Sequence, residues 1–188
     1  SLFMFVAGLA GNCLTYKIFS SALRKNTLST YFRTMSIFNN LMLVMMVSKS
    51  LDEFFDWSMT TVSNFACKFL TYSGMFLGCI PAWLLVVVSL DRFVNISRPN
   101  KFPILFNRTF QLALCIFIVV YNLLLYSPLL WTSRLEKVGN SSVDCVDMIS
   151  RTTSWIDLLN STLLPFASMI TFTILLIYYV KSSRRRMD

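Results

Sequence analysis

Five stretches of this chain carry no charged side chain: residues 1–16, 34–48, 69–90, 109–133 and 158–180. A helix rises ~1.5 Å per residue and needs ~20 apolar residues to cross ~30 Å of hydrocarbon. The last three stretches, of 22, 25 and 23 residues, are long enough by themselves. The first extends past Lys17 to about Leu23, because a lysine stem can reach the headgroups. The second extends through Arg33 and Lys49, one charge near each end. The expectation is an all-α, multi-pass transmembrane helical bundle, with helices over about 2–23, 30–51, 65–95, 109–131 and 156–181. A large soluble helical protein would need polar faces that the last three stretches lack. Only 14% of the 188 residues are charged, against ~25% in soluble domains.

The charges that remain give an orientation. Successive connections alternate sides of the membrane. One side holds twelve basic residues, among them Lys17, Arg24, Arg33, Arg92, Arg108 and Lys181, against the acids Asp91 and Asp188. The other holds five basic residues against seven acids. Lys and Arg excess marks the cytoplasmic side, so the N-terminus is expected outside and the basic end of the chain inside. The net charge of +8 is then a topology signal and calls for no nucleic acid. The run Arg184-Arg185-Arg186 reads as a membrane-flanking stop that can touch anionic lipid. Trp57, Trp131 and Trp155 fall near the expected outer boundary, where amphipathic rings are favoured.

The chain has no histidine, which excludes histidine acid–base work and histidine metal ligation. No pair of carboxylates falls at membrane depth. No enzyme activity, metal or cofactor is expected. A transporter or channel would show ionisable groups inside its helices, and the last three apolar stretches have none between their ends. Their polar residues, such as Asn122 and Ser168, suit contacts between helices. Pro81, Pro128 and Pro165 each remove one backbone donor and bend a helix.

Cys13, Cys79 and Cys115 lie in apolar stretches and read as packing residues. Cys67 and Cys145 fall on the outer, oxidising side, where they either pair or stay free. A Cys67–Cys145 bond would require alpha carbons within ~4.4–6.8 Å. It would fold the connection between the fourth and fifth helices over the start of the third, with Val143 to Val146 pairing as a short hairpin. Asn140-Ser141-Ser142 is a glycosylation acceptor pattern on the correct side. Asn95 and Asn107 match the same pattern on the inner side, and Asn160 matches it too near the membrane.

At the inner end of the third helix stands Ser89-Leu90-Asp91-Arg92-Phe93. A carboxylate there can hold Arg92 as a local ion pair, released when helices move. An ordinary charged helix end is the alternative. Several features together resemble the first five helices of a rhodopsin-like, class A, G-protein-coupled receptor: Gly11-Asn12 in the first helix, Trp57 before Cys67, Arg92 25 residues after Cys67, Cys145 after the fourth helix, and Leu164-Pro165-Phe166 in the fifth. The resemblance covers essentially the whole chain. It implies a seven-helix receptor fold, of which this chain reads as five helices. On that reading the five spans alone insert in a membrane without activating a G protein.

The resemblance also implies partners and site residues. An extracellular ligand would be sensed on the outer side, and a heterotrimeric G protein would meet Asp91, Arg92 and Phe93 on the inner side, in the plasma membrane. Replacing Asp91 by a neutral residue should then raise basal signalling, and replacing Arg92 should reduce coupling. Asn12, Asn40, Pro81 and Pro165 would be packing and kink residues. Where the family supplies an aspartate in the second helix this chain has Asn40, and where it supplies a small hydroxyl in the third it has Pro81. Neither offers a charge or hydroxyl to a cation, so a sodium site is not expected. Gly74 stands where amine receptors of the family carry an aspartate. Together with Asp144 and Asp147 it is assigned to the ligand mouth, and a cationic, neuropeptide-like ligand is expected. The alternative is a piece of a multi-pass transporter or channel.

Overall fold

The computed structural model describes residues 2–24, 26–55, 59–97, 107–138 and 142–184. Helix α1, Leu2–Ser20, is apolar on all sides, and its side chains Phe3, Val6 and Leu14 remain exposed. That pattern fits a surface facing lipid. The chain then reverses. Asn26 Oδ1 accepts the Leu28 N–H at 3.0 Å, and the Ser29 hydroxyl donates to the Phe19 carbonyl at 2.6 Å. These bonds tie the end of α1 to the start of α2, Ser29–Phe55. Phe19 and Phe32 stack across the same turn with centroids 4.7 Å apart. The two helices pack closely, since a Cβ on Gly8 would sit 3.0 Å from Leu43 Cδ1. A Cβ on Gly11 would meet nothing within 4 Å, so the glycine beside Asn12 is not where α1 and α2 approach.

A 3-10 turn at Met59–Thr61 leads into α3, Asn64–Ser97. At 34 residues it is the longest helix, about 50 Å at 1.5 Å per residue. Pro81 lies inside it without ending it. Helix α4, Arg108–Tyr126, is capped by Asn107, whose Oδ1 accepts the Thr109 N–H at 3.1 Å. Asn107 is thus a helix cap on the side assigned to the cytoplasm. The expected span over 109–131 corresponds to Arg108–Thr132, with a break near its end. Pro128 offers no N–H, so the ladder ends at Tyr126 and a short helix α5, Leu129–Thr132, follows.

Strands β1, Ser133–Val138, and β2, Ser142–Asp147, form an antiparallel hairpin with Leu135 opposite Cys145. Cys145 is bonded to Cys67, with alpha carbons 5.5 Å apart. The disulfide pins the hairpin over the first turn of α3. Helix α6, Ser150–Asp157, passes through a π-helical segment at Leu158–Leu163 into α7, Leu164–Arg184. The last span therefore begins at 150 rather than 156. Residues 150–154 are polar, so hydropathy alone starts the helix too late.

Four of these helical spans, Phe3–Ser20, Asn64–Ser97, Arg108–Thr132 and Ser150–Ser182, are long and apolar enough to cross a membrane. Helix α2 has the length, 27 residues, but carries Arg33 near its start and Lys49, Asp52 and Glu53 near its end. Arg33 lies over the Tyr16 ring, 5.5 Å from its centroid. Helix α3 is the hub and packs on α2, α4, α7 and the hairpin. A core of Leu28, Tyr31, Ile80, Leu84, Cys115 and Ile118 fills the meeting of α2, α3 and α4.

Candidate functional site

Both candidate sites lie on α3, at opposite ends. Toward the hairpin end, a cavity of about 420 Å³ opens between α2, α3 and the π segment. Met42, Met45, Met46 and Met75 supply much of its wall, and Gly74 and Gly78 leave room along α3. Methionine is polarisable and adapts to irregular shapes. Gly74 therefore lines the cavity, as assigned from sequence. Asp144 and Asp147 do not. Asp144 is exposed on β2, across from Glu136. Asp147 is spent on structure: its Oδ1 accepts the Ile149 N–H at 3.2 Å and its Oδ2 the Thr153 hydroxyl at 2.7 Å.

The charged residue that does line the cavity is Asp157. In the sequence it stands among the seven acids of the outer side, one residue inside a helix expected to begin at 156. With α6 starting at Ser150, Asp157 lies seven residues in, about 10 Å along the axis. The Tyr126 hydroxyl donates to Asp157 Oδ1 at 2.9 Å, and Cys79 Sγ lies 3.8 Å from the same oxygen. Cys79 Sγ and Tyr126 Oη are 3.0 Å apart.

A second polar centre stands behind it. Asn160, 3% exposed, sits in the π segment. Its amide donates to Asn122 Oδ1 at 2.9 Å and to Tyr126 Oη at 3.4 Å. Its Oδ1 accepts from Trp83 Nε1 at 3.0 Å and Tyr121 Oη at 3.3 Å. Asn122 in turn donates to the Ile118 carbonyl at 2.9 Å. One buried amide thus joins α3, α4 and the last span, where a π segment leaves the helix one residue over-long. Asn122 is the interhelical contact expected of it, whereas Ser168 bonds only the Leu164 carbonyl of its own helix. Full burial excludes Asn160 as a glycosylation acceptor, and Asn140 lies outside the described residues, as does Trp57.

At the other end of α3, Asp91 is 3% exposed and Arg92 is exposed. The expected Asp91–Arg92 ion pair is not formed. The ion pair present among the described residues is Arg134–Glu136 on β1. Asp91 Oδ2 instead accepts the Asn95 amide at 2.9 Å, and Asp91 Oδ1 is buried without a partner. The reason is geometric: neighbouring residues on a helix point about 100° apart, while Asn95, four residues on, lies on the same face. Phe93 stacks on Phe172 of α7 with centroids 6.4 Å apart, which ties this end of α3 to the last span.

The remaining assigned residues fall between the two ends. Asn12 Oδ1 is met by the amide of Asn39 at 3.4 Å, not by Asn40. The Asn40 amide turns to Cys13 Sγ at 3.8 Å, and its Oδ1 is buried without a partner. Pro165 is fully buried directly after the π segment. No cluster of three or more metal-ligating side chains occurs among the described residues.

Residues 11–187 match the family model described as the seven-transmembrane receptor of the rhodopsin family. No curated protein matches the chain.

Proposed function

The chain belongs to the rhodopsin family of seven-transmembrane receptors, and on that premise we propose that it carries the signal of an extracellular peptide-type ligand to a heterotrimeric G protein. The family is one of receptors rather than enzymes, and membership displaces the transporter or channel reading. Its apolar helices make it a multi-pass protein of the plasma membrane. In our reading the N-terminus is extracellular, the hairpin faces outward and Asn140 is available for glycosylation.

The observation that carries the proposal is the placement of a cavity and an exposed arginine at opposite ends of one 34-residue helix. A ligand that binds one arrangement of the bundle better than another shifts the population toward it. Helix α3 packs on α2, α4 and the last span and carries Arg92 toward its other end, free of an ion pair among the described residues and open to a cytoplasmic partner. At that end Asp91 bonds Asn95 of its own helix, and the contact to another span is the Phe93–Phe172 stack on α7.

The test is nucleotide exchange on G proteins in membranes carrying a full-length receptor that contains this sequence. Arg92→Ala at equal surface expression should lower exchange at least tenfold, toward that of empty membranes, a loss of about 1.4 kcal/mol or more of coupling. Unchanged exchange would remove Arg92 from the proposed role.

A further inference from the structure

We propose that Asp157 is the specificity residue of the cavity and binds a cationic group, an ammonium or guanidinium carried on an apolar stem. This deepens the ligand-receptor reading and rests on it. An ionisable side chain within a membrane span is costly and marks a functional position by default. Asp157 lies about 10 Å into the span Ser150–Ser182, toward its hairpin end, and is the charged residue on the cavity wall. Both of its side-chain contacts, from Tyr126 and Cys79, fall on Oδ1. Oδ2 carries none among the described residues, so half of the carboxylate is left for a ligand.

The carboxylate is also pre-positioned. Asn160 donates to the Tyr126 hydroxyl, which donates to Asp157, so the chain of donors runs from a buried amide to the cavity wall. Asn160 is itself fixed by Trp83, Tyr121 and Asn122. A group held by packing and further hydrogen bonds binds without the cost of ordering it. Across the cavity, Gly74 presents no side chain, and the methionines offer an apolar surface to the ligand's stem. A bare cation would lack that surface, and an apolar ligand would leave Asp157 Oδ2 unpaired. A basic amino-acid side chain satisfies both.

The test places a thiol beside Asp157. Ser161 lines the same cavity and its hydroxyl bonds the Asp157 carbonyl at 2.7 Å. Ser161→Cys is labelled with a trimethylammonium-bearing methanethiosulfonate and with a sulfonate-bearing one, and the protein with Ser161 intact supplies the background of Cys13, Cys79 and Cys115. The cation-to-anion rate ratio should fall about tenfold when Asp157→Asn is added, and Asp157→Glu should keep most of it. A ratio unchanged by Asp157→Asn overturns the proposal. Should Asp157→Asn not reach the membrane, protection decides. Nα-acetyl-arginine amide should slow labelling of Ser161→Cys with an uncharged methanethiosulfonate at least threefold more than Nα-acetyl-norleucine amide does, and equal protection overturns the proposal. Neither readout contains a G protein, so failure here is distinct from failure of signalling.

Discussion

Asn160 makes four side-chain hydrogen bonds to residues of α3 and α4. Interhelical hydrogen bonds in membranes contribute about 0.6 kcal/mol each, with a maximum near 1.7. Asn160→Ala would also leave the Trp83 indole and the Asn122 carbonyl without their partner. Loss of about 2–3 kcal/mol is expected, read as a clear fall in the thermal midpoint of the purified receptor in detergent, and an unchanged midpoint would contradict the clamp. Nothing in the local sequence announced this role. Asn160-Ser161-Thr162 reads as an acceptor pattern, and its partner Asn122 lies 38 residues away. Asp157 was hidden for a related reason: it sits at the edge of the apolar run, and only the true start of the helix shows its depth. Cys67 and Cys145 were legible because side and oxidation state follow from topology. The Asp91–Asn95 bond follows from i,i+4 spacing, which places Asn95 and not the adjacent arginine on the Asp91 face.

At the scale of elements, hydropathy finds the middle of each span and misplaces its ends. The breaks follow local chemistry instead: Pro128 ends α4, and Asp147 ties the turn before α6 to its first turn through Ile149 and Thr153. Asp147→Ala removes both bonds. It should cost about 1 kcal/mol and speed amide hydrogen exchange over residues 150–153, with Asp147→Asn restoring part of the protection. Unaltered exchange would mean that the hairpin, not the Asp147 side chain, orders this turn. The hairpin has its own anchor. The Cys67–Cys145 bond closes a loop across a sequence separation of 78, and constraints of that kind contribute about 2–4 kcal/mol. Cys145→Ser should lower surface expression severalfold and shift non-reducing peptide maps by loss of the cross-linked fragment. Wild-type expression of the variant would show that β1, β2 and α5 hold the hairpin unaided.

The whole molecule rests on α3, which carries a ligand-sized cavity toward one end and an exposed arginine toward the other. The multi-pass architecture was readable because spans of 20 or more uncharged residues have few other solutions. The cavity was not, since it needs α2, α3 and the π segment brought together. Phe65 and Ile96 are both exposed on α3 and stand roughly 45 Å apart along its axis, more than the ~30 Å of hydrocarbon. They therefore report opposite faces of the membrane. The most direct measurement is photo-crosslinking in cells, with benzoylphenylalanine placed at one or the other position. A receptor that couples through the Arg92 end should crosslink to the G-protein α subunit from position 96 and not from position 65. Crosslinking from position 65, or from neither while surface expression is normal, would contradict the account.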